Sequence, residues 1–300
     1  LIDEQHPLGL GAAGLSPLAD SHLVPLFKKA DLIICIGYDP IEARVGWRSI
    51  WDPRKQNIID ITVVPNDHHM HHAGLNFVAH TGGTLQAMIT SVNVNSVRWP
   101  NGDIDDVRGA LTKSFPNNDQ WGPAAVIAKA RMTLPRNTLA TVDSGAHRIL
   151  LSQMWTSYEP KSLVQSTAFC TMGCAIPLAM GLKLAAPERP VVAFSGDAGF
   201  LMVTGELSTC AELNLPIIFV VFVDASLALI ELKQRQGQFS RCSVDFGRHD
   251  VTAIGQAFGG FGVTVQDRVE LRCQIERALQ RDKFTVIGAN LELGGYDDRI

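Results

Sequence analysis

Residues 216–223 read Pro-Ile-Ile-Phe-Val-Val-Phe-Val, and the run stops at Asp224. Eight residues with no polar side chain do not suit a strand with one wet face, because such a strand alternates apolar and polar positions. They are also far short of the ~18–20 residues that a membrane-spanning helix needs. What they suit is a strand buried on both faces, inside a parallel sheet that helices cover. Residues 190–195 read as a second strand of this kind and residues 138–142 as a third. Helical patterns at 124–132, 173–186 and 201–214 alternate with them, and Pro177 falls near a helix start, where a missing N–H is tolerated. The expectation is α/β: doubly wound parallel sheets.

The same alternation, more weakly, occupies the start of the chain. Residues 31–37 form an apolar run ending at Gly37, residues 57–61 a second, and a helix over 21–29 follows Asp20 as its cap. The stretch around Trp99-Pro100-Asn101-Gly102 and Phe115-Pro116-Asn117-Asn118 is rich in turn residues and reads as a linker. The predicted organisation is therefore a unit over 1–95, a linker over 96–123 and a second unit over 124–300. With 46% hydrophobic residues in 300, the chain can fill two such cores. A formal net charge of −4 gives no basic surface for nucleic acid. No signal pattern or membrane run is visible, so the expectation is a cytoplasmic protein with no membrane partner. The six cysteines are expected as buried free thiols.

The chemistry gathers around two carboxylates. Asp197, in Gly196-Asp197-Ala198-Gly199, lies just past one predicted strand, and Asp224 lies just past the next, 27 positions on. That is the length of one strand–helix–strand unit. If the two strands are neighbours, their ends are ~5 Å apart, at the sheet edge where open α/β folds bind ligands. Two hard oxygen ligands there suit Mg²⁺ or Ca²⁺, with a substrate phosphate completing the shell. Small residues around Asp197 leave backbone N–H groups open to that phosphate.

This pattern resembles the cofactor motif of thiamine diphosphate enzymes, in the acetolactate synthase and 2-oxoacid decarboxylase branch. That motif opens Gly-Asp-Gly and closes on Asn. The resemblance implies Mg²⁺ held by Asp197, Asp224 and the carbonyl of Ser226. Asp143-Ser144-Gly145-Ala146-His147 resembles a diphosphate-contacting loop, and Thr171-Met172-Gly173 resembles the segment under the thiamine. There Met172 would wedge the cofactor into its bent form, and the carbonyl of Cys170 would face the aminopyrimidine. The implied cofactor contacts are Ser144, Gly145, Ala146, His147, Cys170, Met172, Gly196, Asp197, Ala198, Gly199, Asp224, Ser226 and Leu227. Residues 1–95 resemble the later part of the family's central domain. A flavin (FAD) would belong to that domain and has no residue pattern to support it here.

Two departures stand out. Ala198 replaces the second Gly, which is tolerable only at negative φ. Asp224 replaces Asn, adding a negative charge beside a diphosphate and making metal more strictly necessary. The family's activating Glu is expected N-terminal to residue 1, so no catalytic residue is assigned in this chain, and little turnover is expected of it alone. The implied reaction is decarboxylation or carboligation of a 2-oxoacid such as pyruvate, by a homodimer or homotetramer at full length. Poor solubility or dimerisation is the expectation for the isolated piece. The alternative is a non-catalytic cofactor-binding or regulatory module of the same fold. A nucleotide binder, the third reading, has no supporting motif.

Other features read as structural. Gly9-Leu10-Gly11-Ala12-Ala13-Gly14 matches G-x-G-x-x-G, but no strand precedes it, so it reads as a Gly-rich loop. Asp67-His68-His69-Met70-His71-His72 lacks the partners of a closed zinc site. Lys233-Gln234-Arg235-Gln236 reads as a solvated stretch.

Overall fold

The computed structural model describes residues 3–40, 43, 45–65, 70–92, 99, 102–117, 120–167 and 169–300. The chain divides into two compact units, Ala12–Ser114 and the combination of Leu1–Gly11 with Phe115–Ile300. The boundaries thus fall near 11 and 114 rather than at 95, and the first residues of the chain belong with the C-terminal unit.

The N-terminal unit runs α1 (Pro17–Lys29), β1 (Leu32–Ile36), a 3-10 turn (Val45–Ser49), β2 (Asn57–Thr62), β3 (Leu75–Val78), α2 (Thr81–Ser91) and α3 (Asp103–Ser114). α1 begins earlier than expected. Ser16 is its N-cap and accepts from the Ala19 N–H, while Asp20 lies inside the helix and accepts from the Gly14 N–H. α3 occupies part of the stretch predicted as linker. Asp103, Asp105 and Asp106 in its first turn and Lys113 in its last complement the helix dipole, so the polar composition serves a helix. The three strands are parallel in the order β1-β2-β3. By register, Ile34 and Ile36 of β1 share a face with Leu75 and Phe77 of β3, and all four are exposed. Gly9 to Gly14 is a loop with no strand before it, and Asp67, His68 and His69 lie outside the described residues.

The C-terminal unit runs α4 (Pro123–Thr133), β4 (Leu139–Val142), α5 (Ala146–Met154), β5 (Leu163–Gln165), α6 (Ala175–Ala185), β6 (Val191–Gly196), α7 (Asp197–Met202), α8 (Glu206–Glu212), β7 (Ile217–Val223), α9 (Ala228–Gln236), α10 (Val251–Ala257), β8 (Phe261–Val265), α11 (Arg268–Ala278) and β9 (Thr285–Asn290). The single helix expected over 201–214 is two short ones, interrupted at 203–205, where Gly205 supplies a poor helix former. All six strands are parallel, in the order β5-β4-β6-β7-β9-β8.

Every residue of β7 is buried, none more than 3% exposed, as a central strand covered on both faces requires. Each such side chain contributes roughly 1.5–3 kcal/mol relative to an exposed one. One face of the core carries Phe219, Val221, Phe284 and Phe200 against Ile176 and Ala179 of α6. After β4 the chain goes to β5 on one side, then crosses to β6 on the other. The gap between β4 and β6 is therefore a topological switch point, the place where such sheets receive ligands at their carboxyl edge. Among the described residues no helix is long and apolar enough to cross a membrane.

The cysteines are free, but only Cys35 and Cys210 are buried. Cys170, Cys174 and Cys273 are partly exposed, and Cys242 is exposed.

Candidate functional site

The segments leaving β4, β6 and β7 converge on one cleft, at the carboxyl edge of the sheet, where such folds receive ligands. β6 and β7 are hydrogen-bonded neighbours with Gly196 opposite Phe222, so Asp197 and Asp224 follow adjacent strand ends. Both carboxylates are buried, at 3% and 7% exposure. Asp197 accepts from the Ala198 N–H through Oδ1 and from the Ala225 N–H through Oδ2, each at 2.8 Å. The second bond joins the end of β6 to the turn after β7. Ala225 has φ 57°, a left-handed conformation that costs a non-glycine residue ~1–2 kcal/mol. Asp224 accepts from the Ser226 N–H at 3.2 Å.

No lysine or arginine among the described residues forms an ion pair with either carboxylate. Burial, and next the charge of Asp197, lifts Asp224 to about 7. Burial also raises Asp197, against the two backbone N–H bonds that lower it. Two adjacent buried carboxylates without a counter-ion are costly, and a hard cation relieves both. Among the described residues no group of three or more His, Cys, Asp or Glu is placed to hold a metal. Two adjacent carboxylates are hard oxygen donors, which suit Mg²⁺, an ion that keeps water or phosphate oxygens in its shell, better than a closed zinc site.

A stability prediction follows for the metal-free protein. The Asp224 carboxyl ionises near pH 3.8 when unfolded and near 7 when folded. Stability therefore falls as pH rises from about 4 to 7 and levels off above. Asp224→Asn should raise the metal-free melting temperature at pH 8, by the equivalent of ~1–2 kcal/mol, and the gain should shrink towards pH 4. Thermal melts in EDTA at the two pH values check this. An equal shift at both would mean that the charge is not the cause.

The opposite wall comes from the start of α5. Gly145 is its N-cap and no side chain caps the helix, so its first N–H groups are open to an anion. His147, 4% exposed, stacks on Phe222 with ring centroids 5.3 Å apart. Its Nε2 lies 2.7 Å from Asp143 Oδ1. Two glycines are required by space. A Cβ on Gly145 would lie 2.5 Å from the His147 ring, and one on Gly199 would lie 2.2 Å from Asp143 Oδ2. Ala198, by contrast, sits within α7 at negative φ, so its methyl is accommodated.

The structure thus brings Ser144, Gly145, Ala146, His147 and Met172 to the same cleft as Gly196, Asp197, Ala198 and Gly199, with Asp224, Ser226 and Leu227. Cys170 is the exception. Its side chain turns to the Arg148 guanidinium and to the Ser144 hydroxyl, and its backbone is left-handed at φ 48°. The cleft also takes Phe222, Ala228, Leu229, Ile230 and Tyr296, which the sequence reading did not name. The first four flank motif residues in sequence. Tyr296 stands far from them, and no local pattern marks it. It is 5% exposed, and burial, then the nearby Asp224 charge, holds its phenol well above the usual range. No glutamate lines the cleft among the described residues. Arg235, in the stretch read as solvated, is half exposed and pairs with Glu231 and with Asp297 of the C-terminal turn.

Residues 143–289 match the family model described as thiamine pyrophosphate enzyme, C-terminal TPP binding domain. Among curated proteins, the chain is 27% identical over 288 residues to an acetolactate synthase of Bacillus subtilis (strain 168), covering 92% of this chain and 49% of that protein. It is 28% identical over 275 residues to a catabolic acetolactate synthase of Raoultella terrigena, covering 87% and 48%. An acetolactate synthase large subunit of Parasynechococcus marenigrum (strain WH8102) is 31% identical over 179 residues, covering 57% and 28%. The chain spans about half the length of the first two of these relatives. The carboxylate pair falls within the matched residues and Tyr296 lies just beyond them; over 143–289 this chain is similar to the C-terminal TPP binding domain of thiamine pyrophosphate enzymes, and over most of its length to acetolactate synthases.

Proposed function

We propose that this chain carries the diphosphate- and metal-binding half of the active site of a thiamine diphosphate- and Mg²⁺-dependent enzyme. The enzyme decarboxylates a 2-oxoacid such as pyruvate and joins the product to a second carbonyl, as an acetolactate synthase does. The observation that carries this reading is the pair of buried carboxylates, Asp197 and Asp224, on adjacent strand ends, with no lysine or arginine ion-paired to either among the described residues. In this reading Asp197, Asp224 and the Ser226 carbonyl hold Mg²⁺. The open N–H groups of α5 and the His147 ring receive diphosphate oxygens across the cleft. Met172 lies under the thiamine. The cofactor, when bound, supplies the electron sink for loss of CO₂, and the protein's part is to hold and orient it. The active site of the whole enzyme forms in a homodimer or homotetramer.

Calorimetric titration with thiamine diphosphate tests the reading. Binding is expected in Mg²⁺ and lost in EDTA, with no pyruvate consumed by the chain alone. Equal binding with and without Mg²⁺ would overturn the metal assignment. No binding in either, by a folded protein, would favour a non-catalytic module of the same fold.

A further inference from the structure

One buried carboxylate touches every wall of the cleft on the β4–β6 side. Asp143, 1% exposed, sits just past β4. Its Oδ1 meets His147 Nε2 of α5 at 2.7 Å. Its Oδ2 accepts the Gly173 N–H at 2.6 Å, next to Met172 in the cleft wall, and the Ser195 hydroxyl of β6 at 2.8 Å. The same oxygen lies where a Cβ of Gly199 would be, so the Gly-Asp turn closes directly over it. The stretches around His147, Gly173 and Ser195–Gly199 thus meet at one side chain. A salt-bridge or capping role calls for one or two of these contacts, not for all.

The arrangement also fixes the imidazole. A carboxylate only accepts, and Oδ2 already takes two donors, so the proton between Oδ1 and the ring belongs to Nε2. Nδ1 and Cε1 then form the edge turned towards Gly145 and Gly196, both of which line the cleft. A ring held by a carboxylate through one nitrogen presents the other to a ligand, as an orienting carboxylate does for histidines at other sites.

We infer that Asp143 is a positioning residue: it sets the His147 tautomer, with Nε2 protonated and Nδ1 facing the cleft, and ties Gly173 and Ser195 to the same point. The ligand-facing part of this inference rests on the thiamine diphosphate reading above. The tautomer does not.

The test is ring ¹⁵N–¹H spectroscopy of histidine-labelled protein at pH 8, with His147 assigned by loss of its signals in His147→Asn. The wild-type ring is expected as the Nε2–H tautomer. In Asp143→Asn, an amide turned to donate to Nε2 moves the proton to Nδ1, and Mg²⁺-dependent affinity for thiamine diphosphate falls ~10–100-fold. Ser195→Ala removes one donor from the same carboxylate and should leave the tautomer unchanged. A loss of fold alone does not invert a tautomer, so a merely structural role is distinguished. A wild-type ring protonated on Nδ1 overturns the inference even if Asp143→Asn does not fold. A folded Asp143→Asn with tautomer and affinity unaltered overturns it as well. The Nε2–H tautomer with no thiamine diphosphate binding by the wild type supports the carboxylate's hold on the ring and counts against the cofactor reading alone.

Discussion

Asp197→Ala should lower the Mg²⁺-dependent affinity for thiamine diphosphate by ~100-fold or more, or ~2.7 kcal/mol. Asp197 is the carboxylate both of whose oxygens are aimed by backbone N–H groups, from Ala198 and Ala225. It is therefore already held where the ion needs it, with little ordering cost on binding. The substitution also deletes the bond between the β6 end and the turn after β7, so some stability is lost with it. Asp197→Asn separates the two effects. It keeps an acceptor for one N–H but removes the charge, so its affinity should fall nearly as far while its melting temperature falls less. Asp224→Asn is the counter-case, since it keeps an oxygen at the site and relieves the repulsion between neighbours. Calorimetry with Mg²⁺, paired with thermal melts in EDTA, measures both quantities. Unchanged affinity in a folded Asp197→Ala would mean that the metal does not sit at this strand end.

How far the sequence reaches is seen at these same residues. The pure apolar run before Asp224 specifies a central strand, because only coverage on both faces tolerates seven apolar side chains in succession. The 27-residue spacing specifies the neighbouring strand, so the carboxylate pair is legible before any coordinates. Helices were less legible where charge and composition pull apart. α3 reads as linker because the turn-rich runs Trp99-Pro100-Asn101-Gly102 and Phe115-Pro116-Asn117-Asn118 flank it in sequence, although Asp103, Asp105 and Asp106 in its first turn favour the helix. The left-handed turn at Ala225 was invisible, since alanine gives no sign of positive φ. Tyr296 was invisible for a different reason. It reaches the cleft from the turn after β9, whose place in the sheet is beside β7 although β8 precedes it in sequence. Pairings of that kind are set by the packing of the whole sheet and leave no local trace. The hub at Asp143 shows the same limit. Its sequence suggested a loop against a diphosphate, while its contacts with Gly173 and Ser195 come from segments 30 and 52 positions away.

Gly199→Ala should be the most damaging single methyl in the chain's site, at ~3–5 kcal/mol of stability. Its Cβ would stand 2.2 Å from Asp143 Oδ2, 3.0 Å from the Gly173 N–H nitrogen and 3.1 Å from the Ser195 hydroxyl. None of these is the free end of a flexible chain. The carboxylate is fixed by three donors, and two of the atoms it would have to follow are in the β6 strand and the Gly173 backbone. Relief therefore means breaking buried, charge-assisted hydrogen bonds or shifting α7 away from the sheet, and either leaves polar groups without partners. Helix propensity works the other way, since alanine is favoured over glycine by ~1 kcal/mol in a helix interior, so a net loss isolates the steric cause. The neighbouring position supplies the control. Ala198→Gly removes a methyl that meets no such obstacle, and should cost only ~0.5–1 kcal/mol. With ~2–4 °C per kcal/mol for a unit of this size, the two melting temperatures should differ by ~5 °C or more. Equal shifts would mean that α7 moves freely over Asp143, and that the carboxylate does not hold the cleft together.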